Sequence, residues 1–233
     1  IDLLLLGYSG ASAYPHCYEL PLQEKLIEVS KKRESRWSSA ENYINLFKPK
    51  FFMPFAGRYT LGGKLYELNV YRGEPELEES FDELITRVDQ NKHKGFLLNS
   101  DRWFDISTGA QSKPYQRINL DEKMKYVKEV LSKYKFDYED DTFPTEEQIE
   151  KLIPTSYNKF EEFRKKYGFN SDTTILIKIT ENKFVAISCN GKGHKIISKD
   201  EIKNYKNYNL LSLDTRLLYR LLLGPMKAVW NTA

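Results

Sequence analysis

The run Leu3-Leu4-Leu5-Leu6 stops abruptly at Gly7 and small polar residues, and Phe51-Phe52-Met53-Pro54-Phe55 stops in the same way just before Gly57. An apolar run without alternation suits a strand buried on both faces, as in the inner sheet of a layered α/β fold. The glycines after each run let the backbone turn sharply, and strand-end loops of α/β layers are where sites are usually built. Between the runs, Leu20 to Leu46 keeps helical spacing through Leu22, Leu26, Val29, Ala40, Tyr43 and Ile44, with Ser38 and Ser39 as caps where the pattern restarts and Pro49 as its end. The first segment therefore reads as strand, loop, helix, strand, a parallel crossover unit. A doubly buried strand at Ile1 has nothing before it in this sequence to cover it, so a fragment or one part of a larger domain is expected.

The length of 233 residues allows one large or two modest domains, and 40% hydrophobic with 14% aromatic residues suffices for a packed core. A charged fraction of 30% points to a soluble protein, and no apolar run approaches the roughly 20 residues that a membrane span needs. The net charge of +3 is nearly neutral for this length. The clusters Lys31-Lys32-Arg33 and Arg164-Lys165-Lys166 stand beside acidic residues and read as solvated helix faces, which argues against a nucleic-acid partner. Two cysteines, Cys17 and Cys189, make no disulfide framework and fit a reducing cytoplasm.

Further along, Thr60 to Val70 reads as a turn or hairpin, Pro75 to Val88 as an amphipathic helix, and Phe96 to Leu98 and Trp103 to Ile106 as short strands. Leu120 to Tyr134 reads as a helix with Met124, Val127 and Leu131 inward. The acidic stretch Phe136 to Pro144 marks the division, giving domains 1–140 and 141–233. Beyond it come helices Thr145 to Ile153 and Tyr157 to Tyr167, a hairpin of Thr174 to Ile179 and Phe184 to Ser188, a third strand at Lys195 to Ser198, and a helix over Leu213 to Leu223 stopped by Gly224-Pro225. This part reads as a small α+β domain.

The three histidines, His16, His93 and His194, have no metal-type spacing, and no Cys-x2-Cys is present. His16 with Cys17 is the only soft-ligand pair, and a nucleophilic Cys17 would need a base and an electropositive setting. His93 and His194 read as surface residues. Arg58-Tyr59 after the second strand, and Arg72 near Asn69, are candidates for holding a ligand, since arginine forks suit carboxylate or phosphate; salt bridges to neighbouring helices are the competing reading.

Asp2-Leu-Leu-Leu-Leu-Gly-Tyr-Ser-Gly-Ala-x-x-Tyr-Pro, Pro54-Phe-Ala-Gly-x-Tyr-x-Leu-Gly-Gly, Leu68-Asn-x-x-Arg-Gly, and the C-terminal Ala228-x-Trp230-Asn231-x-Ala233 together resemble the later half of metallo-β-lactamase-fold proteins, in the branch related to CMP-N-acetylneuraminate hydroxylase and, more distantly, N-acylphosphatidylethanolamine phospholipase D. The resemblance implies an α/β chain forming half of an αββα sandwich, with a smaller α+β C-terminal domain. It implies a metal-dependent hydrolase-like or hydroxylase-related protein whose His-x-His-x-Asp-His motif lies outside this chain. Zinc or iron would then enter only with ligands from the missing half, as a further segment or a partner chain. No histidine stands within Pro54-Phe55-Ala56-Gly57, where phospholipase-like relatives place a late metal ligand, and Val229 and Thr232 stand where the C-terminal motif has His and Asn. The loops Gly7 to Cys17 and Gly57 to Tyr59 would line a cleft for a small substrate bearing phosphate or carboxylate, such as a nucleotide-sugar, with Tyr14, His16, Arg58, Tyr59, Asn69 and Arg72 as its binding residues. The alternatives are a non-catalytic ligand-binding module that has lost its metal ligands, and a structural component of a larger assembly.

Overall fold

Strand β1 (Leu3–Gly7) pairs in parallel with β2 (Phe51–Phe55), in register from Leu3 against Phe51 to Gly7 against Phe55. In this computed structural model, which describes residues 1–55, 57 and 59–224, the connection between them is helix α1 (Leu22–Phe47). A short parallel strand β3 (Lys94–Gly95) completes a sheet of order β1-β2-β3. The chain divides into two compact units, 1–134 and 135–233, so the division falls just ahead of the acidic stretch.

In the first unit, α1 and α2 (Leu77–Arg87) cover one face of the sheet, where Leu6, Ala40, Ile44, Phe52, Leu84 and Val88 are buried together. Glu76 and Glu79 form a capping box at the start of α2. The expectation that Leu3 to Leu6 is buried on both faces is not met. β1 is an edge strand, and while Leu6 is 2% exposed, Leu5 is 49% exposed, because both helices lie on the Leu4 and Leu6 side. On the other face, Phe51 packs with Phe96 and Phe104, whose rings stack 3.7 Å apart.

Several sequence expectations need correction. Helix α1 runs without a break, and Ser38 and Ser39 cap nothing; their hydroxyls donate to the Glu34 side chain and the Ser35 carbonyl within it. Residues Gly63–Tyr71 form a 3-10 helix rather than a hairpin. Residues 96–98 and 103–106 are not strands. Phe104 makes only an isolated bridge to Gln111, and its half-buried ring joins Phe51 and Phe96 in a ring cluster while Trp103 is 60% exposed. Helix α3 (Leu120–Glu129) stops early and leaves Met124 46% exposed, so that Val127 alone of its residues is buried.

In the second unit, helix α4 (Glu146–Lys166) is continuous through Pro154, with Thr145 and Gln148 closing its capping box. Strands β4 (Thr174–Lys178), β5 (Lys183–Ser188) and β6 (His194–Ser198) are antiparallel neighbours, and β7 (Tyr208–Leu211), which sequence patterning missed, adds in parallel to β4, giving the order β6-β5-β4-β7. Helix α5 (Thr215–Leu223) is capped by Asp214 and packs Leu218 with Ile149, Ile153, Ile179 and Val185. The other face buries Leu176, Phe184, Ala186 and Ile197. His194 is half-buried with its ring 4.6 Å from Tyr157, and His93 is half-buried with Nδ1 2.6 Å from the Pro49 carbonyl, so neither is the surface residue expected. The C-terminal residues Ala228, Val229, Trp230, Asn231 and Thr232 lie outside the described residues. No helix among the described residues is long and apolar enough to cross a membrane.

Candidate functional site

The loop after β1 runs back along α1 and is held to it by cations. Lys32 Nζ donates to the Tyr14 carbonyl at 2.7 Å, Lys25 Nζ donates to the His16 carbonyl at 3.3 Å, and the Arg36 guanidinium lies against Gly10. The segment after β2 is tied to the same loop. Ser9 Oγ donates to the Gly57 carbonyl at 3.0 Å, and the Tyr59 hydroxyl donates to the Ser12 carbonyl at 2.8 Å. These two loops stand at the carboxyl ends of parallel strands, the usual place for a ligand in an α/β layer.

Beneath them lies a buried polar cluster. His16 is 3% exposed, Arg72 1% and Glu74 0%. The Lys32 ammonium sits 2.5 Å from Glu74 Oε1, in ion-pair contact without hydrogen-bond alignment. Lys32 reaches this position only because residue 73 is glycine. A Cβ there would fall 2.5 Å from Lys32 Cδ and 2.8 Å from its Cβ. The Arg72 guanidinium lies 5.0 Å from the centre of the Tyr59 ring, a cation–π contact. Because the single Tyr59 proton goes to Ser12, the 3.4 Å approach of His16 Nε2 to the Tyr59 oxygen makes Nε2 the protonated nitrogen of the neutral ring. Nδ1 is then a buried lone pair without a hydrogen bond.

The electrostatics follow from this enclosure. Burial lowers the His16 imidazole to about 4, with Lys32, Arg72 and Lys25 pushing the same way and Glu74 opposing. Burial, with the nearby Glu74 carboxylate, pushes the Tyr59 phenol up to about 12. The Tyr14 phenol is also raised to about 12, by its hydrogen bond to Glu28. Cys17 is exposed on the loop, yet its thiol is pushed up by desolvation, with Lys25 opposing; this is the reverse of an activated nucleophile.

Of the residues expected to bind substrate, the structure gathers Tyr14, His16, Tyr59 and Arg72 around one loop. Asn69 lies beside them as a backbone brace, its side chain accepting from Leu61 N and donating to the Leu61 and Tyr66 carbonyls. Asn69 and Arg72 are enclosed and support the loop from within. Arg58 lies outside the described residues. Sequence reasoning missed Lys32 and Glu74. The cluster Lys31-Lys32-Arg33 is not uniformly a solvated face: Lys31 is exposed beside Glu28, whereas the Lys32 side chain is only 15% exposed. The signal was available, since Lys32 falls on the stripe of α1 that carries Val29, Ala40 and Ile44.

Among the described residues no three His, Cys, Asp or Glu side chains converge to hold a metal ion. His16 and Glu74 are surrounded by Lys25, Lys32 and Arg72, a field that repels a cation, so this cluster does not fit a zinc or iron centre. Comparisons with protein-family models, curated proteins and solved structures found no match.

Proposed function

We propose that the first unit is the substrate-holding part of a metallo-β-lactamase-type, metal-dependent hydrolase, with the metal carried by residues other than these 233. The sequence motifs around Gly7 and Gly57 support the family, and one structural observation supports the holding role. The loops after β1 and β2 are tied together by Ser9 and Tyr59 above a buried polar cluster rich in cations. Such a surface suits a small ligand bearing phosphate or carboxylate, and the metal-bound water would be the attacking group. Tyr59 and His16 would keep the loop in place by hydrogen bonding, and neither carries charge at neutral pH.

The reading is tested by native mass spectrometry in the presence of zinc or iron, followed by phosphodiester hydrolysis, with and without the part carrying the metal motif. The 233 residues alone should take up no stoichiometric metal and hydrolyse nothing. With the metal-carrying part supplied, as one chain or two, activity should appear and should fall by about tenfold or more in Tyr59→Phe. Tight metal binding by the 233 residues alone, or no metal in the complete assembly, contradicts it.

A further inference from the structure

We propose that Arg36 receives an oxyanion of the bound ligand, at the carboxyl ends of β1 and β2. The inference rests on the substrate-holding role above and assigns that role to a residue outside the expected set.

Helix α1 presents one stripe to the interior, on which Val29, Ala40 and Ile44 are buried. Residues 25, 32 and 36 fall on the same stripe by three- and four-residue steps, and all three are cations. The loop passes over them in antiparallel order. Lys25 meets the His16 carbonyl, Lys32 meets the Tyr14 carbonyl and the Glu74 carboxylate, and Arg36 meets Gly10. Lys25 and Lys32 thus have acceptors. Arg36, half-buried, makes no hydrogen bond and no ion pair among the described residues.

The fork of Arg36 is half-buried, and none of its nitrogens is a fully buried atom without a partner, so an anion arriving from solvent can reach it. Its neighbour Arg33 pairs with Glu79 at 2.8 Å. Arg72, the expected anion receiver, is only 1% exposed, enclosed against the Tyr59 ring and the Asn69 carbonyl, so although its Nη1 makes no hydrogen bond a ligand from solvent does not reach it. Arg36 instead stands where Gly10 and Ser9 leave the sheet and Ser9 binds Gly57. Gly10 lacks the side chain that would otherwise run into the guanidinium. The planar fork matches phosphate or carboxylate oxygens bidentately.

The test is calorimetric titration of the whole chain with inorganic phosphate and, separately, acetate, at low salt and without metal. At least one should bind, weakened about tenfold or more by Arg36→Gln and only a few-fold by Arg36→Lys. Lys31→Gln, which removes an exposed cation of the same helix, should leave affinity within about twofold. Uptake of phosphate alone points to a phosphate-bearing ligand, and uptake of acetate as well to a carboxylate. If Arg36→Gln does not fold, guanidinium NMR of the native chain decides, with the Arg36 resonance identified from Arg36→Lys; it must move on titration. No binding of either anion up to about 50 mM, or undiminished binding to Arg36→Gln, overturns the proposal. With no metal in the titration, its failure leaves the hydrolase reading to its own assay.

Discussion

At the scale of single residues, the enclosed pair of Lys32 and Glu74 carries the sharpest consequences. Glu74 is fully buried, so removing its cation strands a carboxylate in the interior. Lys32→Met should cost about 3–5 kcal/mol, and Lys32→Met with Glu74→Leu should return most of that loss, as read from urea denaturation midpoints. A neutral Lys32→Met would show that the pair carries no such energy. Gly73→Ala should cost about 1–3 kcal/mol, since its methyl group meets the Lys32 stem rather than a mobile tip. His16 sets a pH dependence. Its folded pKa of about 4 lies below the ordinary 6.5, so the unfolded chain binds the extra proton first. Stability from this group is complete above about 6.5 and is lost as pH falls toward 4. His16→Asn should flatten that part of the stability-against-pH curve relative to the native chain. An identical slope in the two proteins would contradict the buried, neutral imidazole.

Among the elements, α1 and α2 lock one face of the sheet through residues such as Leu84, which is completely buried. Leu84→Ala should cost about 2–5 kcal/mol, measured as a fall in the unfolding midpoint, while the exposed Leu46→Ala should change little. Helical spacing made α1, α2 and α5 legible, because burial of one face writes a period into the chain, whereas β1 and β2 showed as unbroken apolar runs and β4, β5 and β6 as β-rich runs between turns; α4 was read as two helices and α3 as a longer one. Elements held by other forces were not legible. The Gly63–Tyr71 3-10 helix depends on Asn69 bracing the Leu61 backbone, and Phe96 and Phe104 are held by ring stacking with only scattered backbone hydrogen bonds, such as Phe96 N to the Phe52 carbonyl at 3.1 Å and Ser112 N to the Trp103 carbonyl at 3.1 Å. β7 is exposed at all four positions and so carries no burial pattern. The candidate site was half legible. Its loops followed from the glycine stops and His16 from its place beside them, but Glu74 finds Lys32 only through tertiary folding. The edge position of β1 was misread because four consecutive leucines suggest two covered faces.

At the scale of the whole molecule, three features define the proposed ligand surface. The parallel β1–β2 pair fixes which way both strand-end loops point, the cationic stripe of α1 fixes the charge beneath them, and the hydrogen bonds of Ser9 and Tyr59 fix the loops to one another. The proposed partner of this surface is a ligand with an oxyanion. The most direct measurement is a map of backbone amide shifts in the intact chain during titration with inorganic phosphate. The account predicts shifts centred on Tyr8 to Ser12 and on Gly57 and Tyr59, with the amides of β4 to β7 unmoved. Shifts confined to the second unit, or none at all while acetate also leaves the spectrum unchanged, would contradict it.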